Sequence, residues 1–242
     1  MVIHAFKSID ELACSLAEKV IGLVMASVQE GHRFNIALSG GSTPRVLFEK
    51  MASVTEIPGW LEQVNFFWVD ERCVPPEHHE SNYRMTDETL FKHFSFSYAN
   101  VYRMMGEEEP RAEADRYEAL LRSQLPVREG LPCFDLVLLG MGTDGHTASI
   151  FPDQMQLMHS GRLCEVARHP ETGQQRITLT GPVINHADKV FFMITGENKA
   201  SVLVSILGDG IDRENFPAAH IKPVHGELVW YVDKEAARFL QK

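Results

Sequence analysis

Apolar positions fall in two rhythms along this chain, one helical and one of short, nearly unbroken runs. Leu12, Leu16, Val20, Leu23 and Val24 recur at helical spacing, which predicts a helix that stops near Gly31. It opens on a capping box, Ser8-Ile9-Asp10-Glu11, in which Ser8 accepts from the backbone N–H three residues on and Glu11 reaches back. Arg33 to Leu38 then reads as a strand, and Pro44 sits where the first residue of a second helix belongs. The same order of strand, loop and helix returns. Asn65 to Val69 leads through a loop to a helix capped by Ser81, and Phe134 to Leu139 leads into a Gly-rich loop. Arg176 to Thr180 is a further strand. Lys189 to Thr195 precedes a helix from about Glu197 to Leu207, and Leu228 to Val232 precedes a final short helix. Glu107 to Gln124 is predicted to be a highly charged helix with a solvated face.

Apolar strands alternating with amphipathic helices predict an α/β fold, with a parallel sheet covered on both faces. At 242 residues the chain can bury a substantial core without disulfides or metal, and one domain spanning 1–242 is expected. No internal repeat or low-complexity linker divides it; Pro75-Pro76 and Gly208-Asp209-Gly210 read as loop punctuation. Apolar and charged contents of 44% and 23% are those of an ordinary globular chain, which excludes a largely disordered one.

No run approaches the ~18 apolar residues of a membrane span, and Met1 to His4 lack a signal peptide's basic-then-apolar order, so a cytoplasmic protein is expected. Cys14, Cys73, Cys133 and Cys164 form no Cys-x-x-Cys pair and are expected as reduced thiols. A formal charge of -10 argues against nucleic acid as a partner. An anionic substrate then needs a local basic pocket set against the overall field.

Candidate chemistry gathers where predicted strands end. Ser39-Gly40-Gly41-Ser42-Thr43 joins a strand to a helix, so its amides and the helix N-terminus can converge on an anion, with two hydroxyls as added donors. A tight turn whose Ser42 and Thr43 merely cap the helix fits equally. The segment is neither a Walker loop nor a dinucleotide fingerprint.

Asp70-Glu71-Arg72 puts two carboxylates and a guanidinium where a buried strand emerges. Either this is an internal ion pair, or Arg72 holds substrate or developing negative charge while Asp70 tunes the site. His78-His79 suggest a metal, but no third ligand follows at a suitable spacing, so solvated loop residues and no metal are expected. In Gly142-Thr143-Asp144-Gly145-His146-Thr147, Asp144 supplies a charge two residues before an imidazole, the natural base near neutral pH. Arg176 opens an apolar run. Lys199 falls in the first turn of a predicted helix, where a cation opposes the helix dipole unless an anion binds there. Taken singly, each of these two cations also reads as a surface charge.

Together these segments resemble the 6-phosphogluconolactonase family. The resemblance runs through LSGGSTPRVLF (38–48), VDERCVPPEHHESNYRM (69–85), FDLVLLGMGTDGHTASIFP (134–152), RITLT (176–180), TGENKA (195–200) and GELVWYVDKEAA (226–237), in that order and over nearly the whole chain. Ile150 stands where many relatives have Leu. The resemblance implies a three-layer Rossmann-like domain, with a mostly parallel sheet between helices. It implies hydrolysis of 6-phosphogluconolactone to 6-phosphogluconate, in the oxidative pentose phosphate pathway, by a monomer or weak homo-oligomer without cofactor or metal. By position, His146 would be the general base, with Asp144, Arg72 and Asp70 as its charged neighbours. Gly40, Gly41, Ser42, Thr43, Arg176 and Lys199 would hold the phosphate.

Two rivals stay in view. Glucosamine-6-phosphate deaminases share the fold, the phosphate loop and the Asp-Gly-His turn, but carry a Glu partner five positions after the histidine, where this chain has Phe151. A non-catalytic sugar-phosphate sensor could keep the anion cradle and lose the base; here His146, Asp144 and Arg72 are all retained.

Overall fold

The computed structural model describes residues 2–54, 59–208 and 210–240; Asp209 of the expected Gly208–Gly210 turn therefore lies outside them. The strands are β1 (Val2–Phe6), β2 (Phe34–Leu38), β3 (Val64–Trp68), β4 (Asp70–Arg72), β5 (Val127–Arg128), β6 (Leu131–Pro132), β7 (Leu136–Leu139), β8 (Cys164–Arg168), β9 (Gln175–Leu179), β10 (Lys189–Ile194) and β11 (Glu227–Asp233). The helices are α1 (Ile9–Gln29), α2 (Ser42–Ser53), α3 (Asn82–Thr89), α4 (Pro110–Gln124), α5 (Gly181–Ile184) and α6 (Ala200–Leu207).

Six strands form one sheet in the order β1-β11-β10-β7-β2-β3, and every pairing in it is parallel. Side chains alternate between its faces as strand geometry requires. Ile36, Leu38, Phe66, Trp68, Leu136, Leu138, Phe191 and Met193 pack with Leu16, Val20, Leu47 and Phe48 of α1 and α2. Ala37, Phe67, Val137, Leu139, Phe192 and Ile194 point the other way, into a core shared with Tyr117 and Leu121 of α4 and Leu203 of α6. The helix-covered parallel sheet expected from the apolar runs is therefore present. The second face is covered in part by an antiparallel sheet, β4-β9-β8, of which the apolar pattern showed only β9.

Local chemistry explains most element ends. Ser8 Oγ accepts from Glu11 N at 3.2 Å, while the Glu11 carboxylate takes the Lys7 amide at 2.8 Å, one residue earlier than a regular capping box. Ser81 Oγ caps α3 at Arg84 N, 3.1 Å away. Pro44 is the third helical residue rather than the first: Gly41, at φ 111°, is the N-cap, so Ser42 and Thr43 lie inside the first turn. The final short helix expected after β11 is absent among the described residues, where 234–239 form turns instead. The charged helix begins at Pro110 with Glu109 as its cap, and buries only Glu113, Ala114, Tyr117 and Leu121.

The chain order reverses between neighbours β2 and β7: β3 continues to one side, whereas β10 and β11 extend to the other. Ligands of open α/β sheets bind at such a switch point, outside the carboxyl ends of the strands. After β2 come the loop Ser39–Gly41 and the first turn of α2, and after β7 the loop Gly140–His146. Ser39 Oγ ties them together by donating to Leu138 O at 2.7 Å, which commits that hydroxyl to the scaffold.

Candidate active site

A cavity of about 360 Å³ opens at this switch point. It is lined by the Gly40–Thr43 loop, Asp70, Arg72, Asn82, Gly142, His146, Arg176, Thr195, Asn198 and Lys199, among others. Its volume lies within the roughly 300–1,000 Å³ of small-molecule sites. Segments separated by more than a hundred residues thus meet in one cleft, as the proposal of a single reaction centre requires.

The imidazole end is tightly specified. His146 Nδ1 lies 2.6 Å from Asp144 Oδ1, and the same oxygen accepts from His146 N at 3.1 Å. A carboxylate on Nδ1 favours the tautomer with its proton there, so the Nε2 lone pair is free to take a proton. Burial pushes the Asp144 carboxyl up, but bonding to His146 and the charge beside it outweigh that and leave it below its ordinary value. Asp144 therefore stays ionised near neutral pH.

Gly142 makes room for this pair: a Cβ there would lie 2.1 Å from His146 Nδ1 and 2.3 Å from Asp144 Oδ1. Gly142→Ala is expected to separate the two side chains and lower kcat by ~10²-fold or more, toward the lower bound for losing a general base, with KM changed far less. Steady-state kinetics on purified variant checks this. The Phe151 ring packs against His146 with centroids 4.8 Å apart, so an apolar face stands beside the imidazole.

Asp70-Glu71-Arg72 divides its labour in a way the sequence left open. At Val69 the chain leaves the parallel sheet for the antiparallel one, in which Asp70, Glu71 and Arg72 pair with Thr178, Ile177 and Arg176. Glu71 faces away from the cavity, accepting from Arg72 N, Asn82 N, Tyr83 N and Ser81 Oγ at 2.8–3.0 Å, and so holds the first turn of α3. Burial nevertheless raises its carboxyl above the ordinary value, because those four bonds only partly offset the lost hydration. Asp70 accepts from Ser149 Oγ at 2.6 Å and Asn82 Nδ2 at 3.3 Å, and faces Arg176 Nη1 at 3.9 Å. Arg72 Nη1 donates to Glu80 O. The ion pair inside this tripeptide, one of the two readings, is therefore not formed; Asp70 meets the distant Arg176.

Arg72 and Arg176 are direct cross-strand neighbours, and neither Nε has a hydrogen-bond partner among the described residues. Arg176 is only 8% exposed. Burial and the charge of Arg72 both weaken its hold on its proton, with Asp70 opposing them. Two like charges kept together make this wall of the cleft favourable to anionic groups. Lys199 ends a 3-10 turn, Glu197–Lys199, and is the N-cap of α6. Burial lowers its pKa against the opposing pull of Asp144. Thr43 Oγ1 bonds Thr195 Oγ1 at 2.7 Å, joining the cradle to the start of that turn.

Every candidate site residue lines the cavity except Asp144, which reaches it through His146. Asn82, Thr195 and Asn198 of the lining, and Ser149 behind Asp70, were not anticipated: they are single polar residues without a charge or glycine pattern, brought in by tertiary contacts. Asn82 can pack here only because residue 40 is glycine, a Cβ there lying 1.8 Å from Asn82 Oδ1. The expectation that His78 and His79 lack a third metal ligand needs amendment. Glu80 supplies one, with ligand atoms of all three within 4.8 Å of one another, although none of them lines the cavity.

A sequence model of the family described as "Glucosamine-6-phosphate isomerases/6-phosphogluconolactonase" matches residues 7–230. A 6-phosphogluconolactonase of Haemophilus influenzae is 41% identical over 217 residues, covering 88% of this chain and 90% of that one. The 6-phosphogluconolactonase structure from Trypanosoma brucei superimposes with a TM-score of 0.88 at 30% identity, covering 99% and 98% of the two chains. A monomeric glucosamine-6-phosphate deaminase shares the fold at 20% identity, with a TM-score of 0.80 and coverage of 98% and 99%.

Proposed function

Since the chain belongs to the glucosamine-6-phosphate isomerase/6-phosphogluconolactonase family, we propose that this cleft is the centre in which one 242-residue domain hydrolyses 6-phospho-D-glucono-1,5-lactone. The product is 6-phospho-D-gluconate, as the family's lactonases imply. The observation that carries the assignment is the 2.6 Å Asp144–His146 contact beside a cleft that also holds the paired arginines Arg72 and Arg176 and a glycine cradle.

Each role follows from residue chemistry. The phosphate sits on the amides and hydroxyls of Gly40, Gly41, Ser42 and Thr43, with Arg176 and Lys199 neutralising it. That leaves the lactone carbonyl toward His146 and Arg72. His146 Nε2 removes a proton from water as its oxygen attacks C1, and Asp144 steadies the imidazolium that forms. Arg72 stabilises the oxyanion, while Asp70 acts through Arg176 by holding its guanidinium in place. The tetrahedral intermediate collapses with cleavage of the C1–O5 bond; the imidazolium returns its proton to O5, and the new carboxylic acid ionises. Water is the only nucleophile required, so Ser42 and Thr43 serve the phosphate.

Phe151 in place of a carboxylate beside His146 disfavours amine chemistry. The test is turnover of freshly prepared lactone, followed by coupled oxidation of the 6-phosphogluconate formed and corrected for spontaneous opening. Ammonia release from glucosamine 6-phosphate is measured in parallel. Lactone turnover without ammonia is expected; ammonia release, or lactone opening no faster than the blank, would reject the reading.

A further inference from the structure

Asp233 ends β11 and is only 7% exposed, yet it does not line the cavity. Its two oxygens each accept from Gly196 N at 3.1 Å, and Oδ1 also accepts from Ala236 N at 2.8 Å. Gly196 belongs to the turn that leaves the neighbouring strand β10 and delivers Thr195, Asn198 and Lys199 to the cleft. Its φ of 92° lies in the region that favours glycine, so the turn has a shape its own sequence must be held to.

Two attachments therefore fix this turn. Thr43 grips Thr195 from the cradle side, and Asp233 grips Gly196 from the sheet. Three residues beyond Gly196 the turn ends on Lys199, a half-buried lysine whose flexible stem would otherwise carry its ammonium toward water. A carboxylate on an amide is a charge-assisted bond, stronger than the neutral bonds that usually set a turn.

We propose that Asp233 is a positioning residue for phosphate recognition. It holds the Thr195–Lys199 turn against Thr43, so that the Lys199 ammonium meets the substrate's phosphate. This rests on the reading of Lys199 as a phosphate contact.

The test uses the full-length chain with Asp233→Ala and Asp233→Ser; serine keeps an acceptor for the nearby Ala236 amide but is too short for Gly196, which guards against a variant that fails to fold. Either is expected to raise KM for 6-phosphogluconolactone ~10-fold, the loss of about one charge-assisted bond, with kcat within about twofold. The inhibition constant of inorganic phosphate is expected to rise in step. Asp233→Asn, which retains Oδ1, is expected to recover most of the loss. In a Lys199→Met background Asp233→Ser should raise KM no further. A fall in kcat at unchanged KM and phosphate inhibition, or full additivity with Lys199→Met, would overturn the proposal. A parent protein that does not turn over the lactone would instead overturn the functional reading, and this proposal with it.

Discussion

His146→Ala is expected to lower kcat for 6-phosphogluconolactone by ~10²–10⁴-fold, the usual contribution of a general base, while KM changes little. The substitution removes the only ring aligned by Asp144 at 2.6 Å, and leaves the cationic wall of Arg72 and Arg176 in place. Binding therefore survives while proton removal from water does not. A high blank rate from spontaneous lactone opening limits the measurable loss, so enzyme concentration is varied and the slope is read. Asp144→Asn is expected to fall short of that loss, since an amide can still orient the ring but cannot steady an imidazolium. Turnover by His146→Ala equal to that of the parent would remove the base from this site.

The second large effect is expected at Arg176. Its guanidinium is buried beside the like charge of Arg72 and lines the cleft, so an anion bound there gains a charge-assisted contact. Arg176→Met keeps the length and removes the charge. Hydrogen bonds to a charged partner contribute roughly 1.5–3 kcal/mol each, so kcat/KM should fall about 10–150-fold, mainly through KM. Asp70 keeps its bonds from Ser149 and Asn82, so the variant should retain the cooperative melting of the parent. A loss confined to kcat would assign Arg176 to the reacting carbonyl instead of the phosphate.

The loops that carry charge were legible because strand-end loops in a parallel sheet converge whatever joins them. Gly40 to Thr43, Asp70 to Arg72 and Asp144 to His146 each follow an apolar run, and all of them reach one cavity or touch a residue that does. What the pattern could not carry is pairing between distant segments. β9 read as an ordinary run and β4 as part of a loop, yet their antiparallel register sets Arg72 opposite Arg176. Asp70 likewise meets Arg176, Ser149 and Asn82, all remote from it in sequence. Pro44 signalled the start of a helix correctly but misplaced it by two residues, because Gly41 took the cap and proline is tolerated throughout a first turn. The segment after Asp233 has helical spacing but closes into turns, with Asp233 taking the Ala236 amide.

A structure of the protein with bound 6-phosphogluconate tests the central claim most directly, because the two ends of this product report the two ends of the cleft. The phosphate is expected on Gly41 to Thr43 with Arg176 and Lys199, and the carboxylate within hydrogen-bond reach of His146 Nε2 and Arg72. A product bound the other way round, with its phosphate against His146, would contradict the account.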